Sequence, residues 1–153
     1  RHDGLINAFL ADILGIEEPL KTKVINVVKE MRFQGTETKS PATLEGKIVQ
    51  DANFLDTLGA IGVARQLASG GSHGRPIYDP NMPVREKLTA KEYQYKKSKG
   101  TSINNFYEKE FRIAKLMNTP TAKKIAAHRI KFVELFINQF MKEWEGKDRV
   151  EGL

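Results

Sequence analysis

The chain has 153 residues, 40% of them hydrophobic and 29% charged, with a mean hydropathy of −0.46; this suits one globular domain with a core of its own. The absence of cysteine excludes disulfide scaffolds, zinc ribbons, cysteine-bound iron–sulfur clusters and thiol catalysis, and no apolar run reaches the roughly 20 residues of a membrane span, so a cytoplasmic setting is expected. The net charge of +6 is uneven: residues 1–75 hold nine basic and nine acidic side chains, and the whole excess lies after them.

In chain order, Asp3 is placed to cap a first helix whose apolar residues Leu5, Ile6, Phe9, Leu10 and Ile13 follow helical spacing up to Gly15. Glu17, Glu18 and Pro19 suit the opening of a second helix, striped by Leu20, Val24, Val27, Val28 and Met31. Residues 34–42 are polar and rich in turn formers, hence a loop. Thr43 opens a long helical stretch, with a candidate break near Asp56, that ends at Gly70-Gly71. Residues 70–100 carry Pro76, Pro80 and Pro83 without periodicity, a long loop of the kind that is often functional or mobile. Thr101 or Ser102 caps the next helix, to about Met117, and Pro120 starts the last. On that last helix Ile125, Phe132, Phe136, Phe140 and Trp144 line one face, and residues 147–153 read as a frayed tail. No segment alternates with period two. The class is all-α.

Drawn as one helix, residues 44–67 place Asp51 on the same face as Ile48, Leu55, Leu58 and Gly62. A carboxylate on an apolar face is paired, binds metal, or is turned outward by a helix break. Glu45 and Asp56 flank that face, as supporting carboxylates or surface ones. Lys47 and Arg65 share another edge, where they could hold a phosphate or stay solvated. His73 and Arg75 sit in Gly70-Gly71-Ser72-His73-Gly74-Arg75, which either closes over a substrate or is a solvated loop; it lacks the ending of a nucleotide-binding phosphate loop. His128, near Ile125 and Phe132, reads as a packed histidine. Glu110 falls among Ile103, Phe106, Ile113 and Met117, either splayed to the edge or buried with a partner, and the edge is the simpler reading. Lys96, Lys97 and Lys99 beside Tyr93 and Tyr95 form a basic cluster that fits a solvated loop, a small phosphorylated ligand or nucleic acid.

The run from Leu44 to Arg65, with Gln50-Asp51-Ala52-Asn53-Phe54-Leu55-Asp56-Thr57-Leu58-Gly59-Ala60-Ile61-Gly62 at its centre, resembles the HD-domain metal-dependent phosphohydrolases, in the branch of small bacterial and archaeal HD hydrolases. Gly70 to Asp79, Thr101 to Lys109 and Met117-Asn118-Thr119 resemble the same branch. The resemblance implies an HD-domain-like helical bundle and hydrolysis of phosphate esters or nucleotide phosphates by metal-activated water. It implies a divalent metal (Mn, Mg, Co, Ni or Fe) with Asp51 as a ligand; beside it, the residues themselves offer Asp56 and Glu45 as candidate supporting carboxylates and Lys47, Arg65, His73 and Arg75 as candidate contacts to a small phosphorylated substrate such as a nucleotide.

The sequence departs from the family pattern in several places. Asn53 stands for an Asp, Phe54 for an Arg, Asn105 for a His and Glu110 for a Leu, and the first His and the His-Asp pair are missing. His2-Asp3-Gly4 resembles a second His-Asp-Gly that some members carry after that pair. The pair is therefore expected upstream of Arg1, and residues 1–153 as a single HD-like domain lacking its N-terminal helices, with exposed apolar faces that would favour a homo-oligomer. Two other readings compete with the enzyme. One is an impaired HD-like protein that binds a phosphorylated ligand without cleaving it. The other, ranked last, is a basic helical module binding nucleic acid.

Overall fold

A computed structural model of the chain describes residues 2–11, 15–95 and 100–148. Helices supply its regular structure, with no strand among the described residues. The order is α1 (His2–Ala11), α2 (Glu18–Glu30), a 3-10 turn (Gly35–Glu37), α3 (Leu44–Leu55), α4 (Gly59–Ser72), α5 (Ala90–Tyr95), α6 (Ser102–Asn105), a π-helical turn (Phe106–Glu110), α7 (Phe111–Lys115) and α8 (Pro120–Trp144). Lys96, Lys97 and Lys99 lie outside the described residues, as do Ile13 and the end of the tail.

Helix ends follow local chemistry. The hydroxyls of Thr43, Thr101 and Thr119 accept from the amides of Gly46, Asn104 and Ala122, capping α3, α6 and α8. Pro19 and Pro120 occupy first turns, where a missing N–H costs nothing. The break at Asp56 is real: Gly59 adopts φ +75°, and α4 sets off in a new direction. Gly62 is needed there, since a Cβ would stand 2.1 Å from the Thr57 carbonyl oxygen.

Two apolar clusters form the core. Phe33, Phe54, Leu58, Ile113, Met117 and Ala126 build one; Val63, Ile103, Phe106, Val133 and Ile137 build the other, and Ile130 packs against both. The buried seam of α8 therefore runs through Ala122, Ala126, Val133 and Ile137, whereas Ile125, Phe132 and Trp144 are exposed. The expected face is offset because small alanines let α3, α4 and α7 approach α8 closely. His128, expected to pack, is exposed for the same reason.

The stretch after α4 is not loose. The amides of Ser102 and Ile103 donate to the Pro76 and Ile77 carbonyls, Asn104 Nδ2 donates to Met82 O, and Leu88 is buried with its carbonyl accepting from Thr36 N. No helix among the described residues is long and apolar enough to cross a membrane.

Candidate functional site

Asp51 faces inward and is 3% exposed. Its Oδ1 accepts from the backbone N and the Nδ2 of Asn118 at 2.8 and 2.9 Å, and its Oδ2 accepts from Thr119 N at 2.8 Å. Burial alone would raise this carboxyl; the backbone and side-chain donors of Asn118 and Thr119 outweigh it and hold Asp51 below its usual value. Gln50 beside it donates to Glu30 O and Lys39 O and accepts from Asn118 Nδ2. Together the two side chains tie the end of α2 and the 39–40 segment to the start of α8. Three donors on one carboxylate leave little for a metal ion, and no group of three His, Asp or Glu able to hold one occurs among the described residues. Asn53, the amide where the family pattern has a carboxylate, is exposed and donates to Met31 O.

The remaining expected site residues do not converge. The break at 56–58 puts Lys47 and Arg65 on different helices, so the shared edge drawn for a continuous helix does not exist. Arg65 is instead committed to the carboxylate and carbonyl of Asp56, an exposed pair closing α3, so Asp56 supports no buried carboxylate. Glu45 is exposed in the first turn of α3. His73 ends α4, its Nδ1 lying 2.7 Å from Ser69 O.

Arg75 is the member of that set found at a cavity. A space of about 120 Å³ is lined by Gln66 and Ser69 of α4, Arg75 and Arg85 of the following stretch, Asn105 of α6 and Lys109 of the π-helical turn. Gln66 Nε2 and Arg75 Nε are buried there without a hydrogen-bond partner. Sequence reasoning passed over Gln66, Ser69, Arg85 and Lys109, and noted Asn105 only as a departure from the family pattern. One signal was present: Gln66 shares the buried α4 face of Gly62, Val63 and Gly70.

The π-helical turn carries two buried acids. Glu108 Oε1 accepts from Arg85 N and Nε, both at 2.9 Å, and Oε2 from the guanidinium Nη2 at 2.6 Å. Hydrogen bonding to Glu108 raises Arg85 further above its already high value. Glu110, expected at the edge, is 1% exposed, with Asn105 Nδ2 donating to it at 3.3 Å and Lys109 Nζ in an ion pair 3.6 Å away. Glu110 closes the π-helical turn on the buried face it shares with Phe106 and Ile113.

Burial pushes the Glu110 carboxyl up to about 7, with Lys109 and Arg75 opposing. The folded state thus keeps this proton above the ordinary value of 4.5, and stability at this site falls as pH rises from 4.5 to about 7, then levels off. Glu110→Gln, which cannot titrate, should therefore gain on the wild type by about 3 kcal/mol over that interval, read from urea unfolding at each pH. A constant difference between the two proteins would refute the assignment.

No protein-family model matches the chain. It is 30% identical over 136 residues to YpgQ of Bacillus subtilis, covering 88% of this chain and 58% of that protein. Among solved structures, a Lactobacillus plantarum protein superposes with a TM-score of 0.83 at 40% identity, over 95% of this chain and 67% of that one. An HD-superfamily hydrolase from Bacillus thuringiensis gives 0.62 at 38% identity, over 94% and 62%. YpgQ solved in complex with ADP gives 0.64 at 27% identity, over 97% and 61%. The chain thus spans about three-fifths of the length of the curated relative it matches.

Proposed function

We propose, for a chain that belongs to the HD superfamily, that it forms the larger part of a hydrolase of small phosphorylated substrates, nucleotides foremost. The observation that carries this reading is the extent of the likeness: 94% of the chain follows an HD-superfamily hydrolase at 38% identity. The nucleotide class is supported by the relative that binds ADP.

HD-superfamily hydrolases generally use a divalent metal, which activates water and offsets charge on phosphate oxygens. The described residues hold no complete ligand set for that group: Asp51, whose oxygens already accept from Asn118 and Thr119, could supply one ligand, and no cluster of three stands among them. In the proposed enzyme the remaining metal ligands come from the part of the relatives' length that this chain does not span. The chain's own share is the helical frame and the binding of substrate.

The test is release of phosphate or pyrophosphate by the longer protein from a panel of nucleotides with Mn²⁺, Mg²⁺, Co²⁺, Ni²⁺ or Fe²⁺. Turnover with at least one pair is expected, and none across the panel overturns the enzyme. A second reading is favoured by Asn53, whose amide occupies the position of a family carboxylate. In it the protein binds a phosphorylated ligand without cleaving it, and ADP raises the melting temperature with no turnover.

A further inference from the structure

We infer that the cavity among Gln66, Arg75 and Lys109 is a subsite for a phosphoryl group, a tetrahedral oxyanion carried by a small molecule or free as inorganic phosphate. The inference deepens the phosphohydrolase reading by naming the group this chain holds, yet it is testable without turnover.

Three observations lead to it. The first is a pair of buried donors without acceptors, Gln66 Nε2 and Arg75 Nε, on a residue 8% exposed and on its cavity neighbour. Buried polar groups in native proteins are nearly all hydrogen-bonded, so two orphans at one cavity mark a place where an acceptor belongs. The second is charge. Arg75 and Lys109 both face the cavity, whereas Arg85 is neutralised by Glu108. Glu110 beneath, bonded to Asn105 and close to Lys109, gives up its proton only near neutrality and so opposes an anion weakly below it. The third is shape. About 120 Å³ holds one oxyanion with a few waters. A planar carboxylate is satisfied by one arginine fork; donors from α4, the stretch after it and the π-helical turn surround a tetrahedral group instead.

The experiment titrates the 153-residue chain with inorganic phosphate and, separately, with ADP, following heat and ³¹P resonances. Saturable binding is expected, weakened about tenfold or more by Arg75→Gln, since hydrogen bonds to charged groups are the strong ones. Gln66→Leu supplies the second variant. It removes an orphan donor, so it should hold or raise the melting temperature of the free protein while weakening phosphate. A purely structural role for Gln66 cannot produce that split. Lys123→Gln, exposed on α8 and outside the cavity, should bind as the wild type does. Tighter binding of ADP, sensitive to the same variants, identifies an esterified phosphoryl group; phosphate binding alone identifies the free anion. No saturable binding of either, or binding indifferent to both Arg75→Gln and Gln66→Leu, overturns the subsite. Neither result touches turnover by the longer protein, which the nucleotide panel measures on its own.

Discussion

Replacing Asp51 by alanine is expected to destabilise the protein by about 4 kcal/mol, lowering the melting temperature by about 10 °C. The carboxylate is the acceptor for two backbone amides and one side-chain amide at the start of α8, and alanine leaves all three without it. Each orphaned buried donor costs about 1–3 kcal/mol. Asp51→Asn should recover only part of the loss, because its NH₂ must confront one of the N–H groups the carboxylate faced. The pH dependence carries the same signature. A carboxyl held below its ordinary 3.8 contributes its stabilisation above that value and loses it as pH falls through the lower folded value. The gap between wild type and Asp51→Ala should thus be full at neutral pH and shrink below 3.8, as measured by urea unfolding. A loss under about 1 kcal/mol at neutral pH would show that other groups hold the start of α8.

The second large effect is expected at Arg85. Arg85→Met removes the fork that compensates Glu108, a carboxylate 2% exposed, and leaves the buried charge with the residual donation of one backbone N–H. Breaking a buried pair from one side costs about 3–5 kcal/mol. Removing both charges, as in Arg85→Met with Glu108→Leu, should return much of that loss, since the pair's attraction repays little beyond its own desolvation. A double variant no more stable than Arg85→Met would mean that the arginine matters through the packing of its stem rather than as a counter-charge. Both variants are compared by denaturant unfolding.

How much of this was legible follows particular residues. Thr43, Thr119 and Pro120 wrote their helix starts in side-chain chemistry that acts within four residues, so they were readable one at a time. The break at Asp56 was readable for the same reason. Glu110 was legible by position, since a wheel drawn at about 100° per residue sets it among Ile103, Phe106, Ile113 and Met117; its burial was not, because the cost of burying a carboxyl argues for the edge and its partners cannot be read from the local pattern. The seam of α8 slipped because both flanks of that helix carry large apolar residues, and its partners choose the flank that holds the alanines. Asp51 was legible as lying on the apolar face, with pairing, metal binding and an outward turn all left open; the choice rests on partners 67 and 68 residues away, beyond any local pattern. The cavity was least legible of all. It is assembled from α4, a coil and the α6 turn, and none of those segments is unusual alone.

Asn105 and Glu110 were noted as separate departures from the family pattern, at positions where histidine and leucine are usual. They touch each other. Restoring leucine alone would strip Asn105 of its acceptor, and restoring histidine alone would set a ring N–H, which titrates near neutrality, in place of the amide donor beside a buried carboxyl. The two positions therefore behave as a single heritable character written at two sites. A substitution at either position changes what the other requires.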